Sequence, residues 1–253
     1  VGELMKKAFF AAIAVALLMV AAQPALAQPL PIPNIDLNIG PAESTTEVVD
    51  SVRLFIFLTV LSLLPALLIM VTSFTRIIVV LALLKQATGA VQAPPGIVLV
   101  GLALFLTVFI MAPVYAEINE TAIQPFMAAE IDQVEAQERA AVPLRTFMLK
   151  QTRDKDLELF VSLSGVENPV RETLPLSTVI PAFIISELKT AFQMGFMLYL
   201  PFLIIDMVVA SILLSMGMFM LPPVMISLPF KLLLFVLVDG WYLVVRSLVE
   251  SFH

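Results

Sequence analysis

Four long apolar blocks dominate the chain, at roughly residues 54–84, 97–115, 179–221 and 224–249. A short turn separates the members of each pair, and a long polar stretch separates the two pairs. This pattern predicts helices running as two hairpins. Charges and prolines interrupt the blocks where a plain membrane span would have neither. Arg76, Glu187, Lys189, Asp206, Lys231, Asp239 and Arg246 lie inside them, as do Pro65, Pro113, Pro181, Pro201 and Pro229. A charge at the bilayer centre costs about 2.5–3.5 kcal/mol. Such helices are expected to face other protein or a watery path rather than lipid alone, which suits an assembled conduit.

The first block is too long for one span. Leu54–Leu84 as a straight helix would measure about 46 Å, against a hydrocarbon core of about 30 Å. Pro65 is expected to kink it. The turn Gln86–Pro95 carries Gly89 and Pro94-Pro95 and closes the first hairpin; Ser215–Pro223 closes the second. Between the hairpins, acids outnumber bases, and Glu130–Arg139 has the composition of an amphipathic helix. The expected division is a signal peptide at 1–27, an acidic Pro-rich linker at 28–52, and a first helical hairpin at 53–116. A polar helical region follows at 117–175, then a second hairpin at 176–253. The fold class is all-α, of integral-membrane type.

Composition agrees. Hydrophobic residues make up 60% of the chain and charged ones 13%. With mean hydropathy +1.02, this places the chain among membrane proteins. Cysteine is absent, which excludes disulfides and thiolate chemistry, and the sole histidine is His253. A net charge of −6 argues against a nucleic-acid partner. At the N-terminus, Lys6-Lys7, the apolar run Ala8–Ala22 and the small-residue site Ala25-Leu26-Ala27 read as a cleavable signal peptide starting at Met5. Lysine and arginine near the first turn (Arg76, Lys85), against the acidic linker and central region, place the hairpin turns on the cytoplasmic side.

No P-loop, dinucleotide fingerprint, zinc-protease motif or nucleophile elbow is present, so neither catalysis nor a cofactor is implied. Two features carry more. Met216, Met218 and Met220 alternate beside Gly217 and just before Pro222-Pro223. In an extended loop they would point to one side, as a deformable seal; the alternative is ordinary packing or lipid contact. The second feature is the set of embedded charges. Glu187 and Lys189 lie about 200° apart on a helix and cannot pair with each other. Lys231, Asp239 and Arg246 would fall within about 80° on one helix, as a polar stripe. Buried charges need partners, so Glu187 and Lys189 each require one elsewhere. Such pairs either fix packing or form a proton relay.

Two stretches carry a specific resemblance. Pro181–Phe196 resembles the hallmark segment of the FliP family, a core component of the flagellar type III export apparatus. Leu228–Trp241 does so too, and the likeness extends from about Val52 to the end. Subunits of virulence secretion systems, of the SctR type, are similar. The resemblance implies helical hairpins that assemble with themselves, as a homopentamer, and with FliQ-like, FliR-like and FlhB-like subunits. Together they form a closed helical pore in the bacterial inner membrane, at the flagellar basal body, for unfolded export substrates. It further implies that Met216, Met218 and Met220 narrow the pore, and that Glu187, Lys231 and Arg153 form a buried charge cluster at subunit contacts, in which Glu187 is expected to pair with Lys231, within a chain or between chains. Phe147 and Phe160 match aromatic positions of inter-subunit packing. The competing class is an ion channel or proton-coupled transporter subunit, with Asp206, Glu187 and Lys231 as its path. A methionine turn beside Pro-Pro suits a wide, sealable conduit better than a filter.

Cleavage after Ala27 makes Gln28 the first residue of the mature protein. N-terminal sequencing of membrane-extracted protein checks this, and a chain retaining Met5–Ala27 would refute it.

Overall fold

The structure is a computed structural model and describes residues 45–90, 93–165, 170–218 and 220–252. The signal peptide expected at 1–27 lies outside the described residues, as does the linker up to residue 44. Among the described residues the chain is all-α, without strands. The chain divides into two units, Val1–Thr59 and Val60–His253. Helix α1 (Thr45–Val71) crosses that division, and the packing below concerns the second unit.

The start of α1 shortens the expected linker, because residues 45–52 are helical. Ser44-Thr45-Thr46-Glu47 is the sequence form of a capping box, a start signal that the acidic composition masked. The first block breaks, but not where proline suggested. The helix passes through Pro65 and ends at Val71, and α2 (Phe74–Thr88) begins three residues later. Side-chain hydroxyls hold the break. The Thr72 hydroxyl accepts the N–H of Phe74 at 3.4 Å, and the Thr75 hydroxyl donates to the Ile69 carbonyl at 3.1 Å. They occupy backbone groups that a continuous helix would satisfy itself.

Helix α3 (Gly96–Ile118) returns alongside α2 and runs on through a π turn, Asn119–Ile123, into Gln124–Met127. The central region supplies α4 (Gln133–Gln151) and α5 (Asp154–Ser164). Asp132 caps α4 by accepting the Glu135 N–H at 2.8 Å, and Asp154 and Asp156 face the positive end of α5. Helix α6 (Leu176–Ser215) is unbroken despite Pro181 and Pro201. At 1.5 Å per residue it is about 60 Å long, twice the hydrocarbon thickness. Helices α7 (Pro223–Leu237) and α8 (Gly240–Glu250) complete the chain.

Helix α2 is the centre. Its buried positions Ile77, Val80, Leu81, Leu84 and Ala87 repeat at helical spacing. They pack against Leu99 and Ala103 of α3, Ala191 and Phe202 of α6, Phe235 of α7 and Leu248 of α8. A second core gathers Met148 and Leu149 of α4, Leu157 of α5, and Val179, Ala182 and Phe183 of α6. The early turns of α6 therefore serve the polar region, and its middle serves α2. Among the described residues, two helical stretches are long and apolar enough to cross a membrane, Gly96–Met127 and Leu176–Ser215, with a third if α7 and α8 count as one bent span.

That bend removes the polar stripe expected along block four. Val238 ends α7, Asp239 takes the left-handed conformation at φ 51°, and α8 departs at 63°. Lys231 and Arg246 thus belong to different helices, and Arg246 pairs with Glu250 at 2.7 Å. Aspartate is among the residues that tolerate this backbone region.

At Gly195 α6 comes close to α2. A Cβ there would lie 2.2 Å from Leu83 Cδ1 and 3.0 Å from Leu83 Cβ. Gly195→Ala should therefore destabilise the fold by about 1–3 kcal/mol through overpacking. Leu83→Ala in the same chain should recover part of that loss. Thermal unfolding of the detergent-purified single and double variants checks both.

Candidate functional site

Arg76, on the first turn of α2, is buried, and each of its five N–H groups meets an acceptor. Nε donates to Glu187 Oε2 at 2.9 Å, and Nη2 donates to Glu187 Oε1. Nη2 also reaches Gln151 Oε1 at 3.1 Å. Nη1 donates to the Ser251 carbonyl at 2.9 Å and to its hydroxyl at 3.0 Å. The guanidinium carbon sits 3.8 Å from the centre of the Phe252 ring, a cation–π contact. Gln151 in turn donates to the Phe252 carbonyl at 3.1 Å. One arginine thus ties α2, α4, α6 and the segment after α8 together. Glu187 is 0% exposed, and it is the bidentate geometry that makes such burial tolerable.

A second polar group adjoins it. The Arg153 backbone N–H donates to Ser186 Oγ at 3.1 Å, and the Ser186 hydroxyl donates to Asp156 Oδ2 at 2.6 Å. Arg153 Nη2 reaches the same carboxylate at 2.5 Å. Burial pushes Asp156 toward its neutral form, but the Ser186 and Arg153 hydrogen bonds and the Arg153 and Lys189 charges outweigh it. The carboxyl is held below the usual aspartate range. Arg153 itself is half-buried, at the joint between α4 and α5.

The third group fastens the second hairpin. Lys231 Nζ, 3% exposed as a side chain, contacts Asp206 Oδ2 at 2.6 Å and the Ala87 carbonyl at 3.3 Å. Ser227, one turn earlier on α7, donates to Asp206 Oδ1 at 2.5 Å. The Ala87 carbonyl belongs to the last turn of α2, where the helix dipole favours a cation.

This geometry corrects the expected Glu187–Lys231 pair. Glu187 is taken by Arg76 and Lys231 by Asp206, and Glu187 and Asp206 stand about 28 Å apart along α6. Four charges embedded in apolar blocks resolve into two pairs. Their balance of two acids and two bases was the available signal, and it was missed because Arg76 had been counted toward topology. With Arg76 neutralised by Glu187, that topology rests at the first turn on Lys85.

Phe147 is half-buried within the chain, with Phe183 at 6.0 Å edge-on and Phe252 stacked at 6.3 Å. Phe160 packs against the second core. The methionine turn is exposed, Met220 at 96%, but it is not extended. Met216 ends α6 and Gly217 is left-handed at φ 73°. Gly217 N–H bonds the Leu214 carbonyl at 3.1 Å and Met218 N–H the Leu213 carbonyl at 3.0 Å. This is the Schellman ending of a helix, so simple alternation does not set the directions of the three thioethers. Pro222 and Pro223 then open α7, where a missing N–H costs nothing.

A profile of the FliP family matches residues 57–248. Among similar proteins is "Flagellar biosynthetic protein FliP" of Bacillus subtilis, 55% identical over 220 residues, covering 87% of this chain and 100% of the relative. The protein of the same name from Aquifex aeolicus is 54% identical over 225 residues, 88% of this chain and 92% of the relative. That of Caulobacter vibrioides is 53% identical over 221 residues, 87% and 82% respectively.

Glu187→Ala should cost about 3–5 kcal/mol, because it strands Arg76. A double-mutant cycle should show coupling for Arg76 with Glu187 and for Asp206 with Lys231. Glu187 with Lys231 should be additive within about 0.5 kcal/mol. Denaturant unfolding in detergent reads all three.

Asp156 gives a pH dependence. Its carboxyl binds a proton less readily folded than unfolded, so its stabilising contribution is present at neutral pH. That contribution is lost as pH falls through the depressed folded value. Asp156→Asn should flatten the acid limb of the stability–pH curve.

Proposed function

The chain belongs to the FliP family, and on that premise we propose that it is a core subunit of the flagellar type III protein export gate. In this reading, copies of the chain assemble as a homopentamer with FliQ-like, FliR-like and FlhB-like subunits. Together they form the channel by which unfolded flagellar proteins cross the bacterial inner membrane, and without which the flagellum is not built. The role is that of a conduit and not of an enzyme. The observation that carries the proposal is the match along residues 57–248, together with full-length relatives whose name is flagellar biosynthetic protein.

Features of the fold support it. Stretches able to span a membrane keep broad apolar faces uncovered, among them Phe105 and Phe109 on α3 and Phe196 and Met197 on α6. Such surface suits further subunits or lipid. The methionine turn stands exposed at the tip of the second hairpin, where a seal could form from several copies. Methionine suits that task, since its unbranched side chain folds aside and closes again. Proton-relay chemistry is less well served. Glu187 is saturated by Arg76, and Asp206 is held by Lys231 and Ser227. Glu187, Lys231 and Arg153 fit a different part, fixing the shape that neighbouring subunits meet.

Replacing Met216, Met218 and Met220 together with alanine should leave the complex assembled but leaky to ions. Conductance and secretion are measured on the same variant. An assembled complex with unchanged conductance would assign the methionines to packing.

A further inference from the structure

Lys85 lies at the end of the first apolar block. Arg76, Lys231 and Arg246 each hold a carboxylate, whereas the Lys85 ammonium, like that of exposed Lys189, has no hydrogen-bond or ion-pair partner among the described residues. It stands in the last turn of α2 at the mouth of a groove of about 560 Å³ between α2 and α3. The groove walls are Ile78 and Ala82 of α2 and Leu99 and Val100 of α3, with Gln86 beside Lys85 as the other polar side chain. Gly89 and Gly96 line the groove at the turn, and a Cβ at Gly96 would meet nothing within 4 Å.

We propose that this groove binds an anionic phospholipid, its phosphate on Lys85 and an acyl chain along Ile78, Ala82, Leu99 and Val100. The chemistry selects the occupant. One cation above an apolar trough, on a hairpin whose α3 arm is long enough to span a membrane, matches a charged headgroup joined to a hydrocarbon tail. An extended peptide segment would bring backbone donors and acceptors that these walls cannot satisfy, and an apolar helix, which satisfies its own backbone, would leave Lys85 without an anion. A soluble anion would gain nothing from the trough below.

The test uses the full chain purified from bacterial membranes with its co-expressed neighbours. The preparation is delipidated, reconstituted with either phosphatidylglycerol or phosphatidylcholine, and read by native mass spectrometry for retained lipid. Phosphatidylglycerol should be retained over phosphatidylcholine, and Lys85→Ala should lower its retention about fivefold, the effect of one lysine near a membrane surface. Lys85→Arg should restore it. Ala82→Phe, which fills the trough but keeps the charge, should abolish it. Lys189→Ala, removing an exposed lysine of α6, should leave it unchanged. Equal retention of the two lipids, or indifference to both Lys85→Ala and Ala82→Phe, would overturn the proposal. So would crosslinks from a cysteine at Val100 to a second copy of the chain, which would assign the groove to a subunit contact.

Discussion

Everything in the second unit is referred to the Arg76–Glu187 pair. Apolar helix faces attract one another without a unique register, since sliding by a turn still buries carbon against carbon. A bidentate arginine–carboxylate pair has a single geometry. It sets where α6 lies along α2, and the remaining N–H groups of Arg76 recruit α4 through Gln151 and the end of the chain through Ser251. Burial makes the choice strict. Any arrangement that separates the two charges leaves each buried without its counter-charge, at a cost of several kcal/mol.

Around that fixed point the chain departs from the usual layout. Three charges lie inside beside the apolar cores, and much carbon lies outside. Arg76, Glu187 and Lys231 are buried, while Phe105, Phe196, Met197 and Ile204 face outward. Two polar clamps, Arg76–Glu187 and Lys231–Asp206, help hold the unit together. The outer face is left for lipid or other subunits. Ion pairs closed within the chain do not depend on which of these covers it.

Most of the architecture was legible in the residues. Block lengths and the polar interval gave the two hairpins, and Gly89, Gly217 and Pro222-Pro223 marked their turns. The errors share one cause: periodicity describes a single helix and is silent about its neighbours. Pro65 is expected to kink the first block because proline lacks an N–H, whereas the helix ends after Val71, where the Thr72 and Thr75 hydroxyls compete for backbone groups. The stripe through Lys231, Asp239 and Arg246 assumed one straight helix, and Asp239 turned it. Glu187 and Lys231 were correctly seen as needing partners, but nothing in one-dimensional spacing says which of two cations sits across from a given acid. Burial of both was readable, whereas the pairing belongs to tertiary structure.

Helix α6 is continuous from the buried pair to the methionine turn, and so it behaves as a lever. From Glu187 to Met216 the arm is about 44 Å long. Pivoting it by about five degrees at Glu187 would carry the turn sideways by roughly 4 Å, a side chain's width. Ångström-scale placement of Met216 therefore requires angular control far from it, and Asp206, gripped by Ser227 and Lys231 two-thirds of the way along, adds a directional bearing to the apolar packing of Ala191, Gly195 and Phe202. A lever held at one point swings, and held at two points it aims.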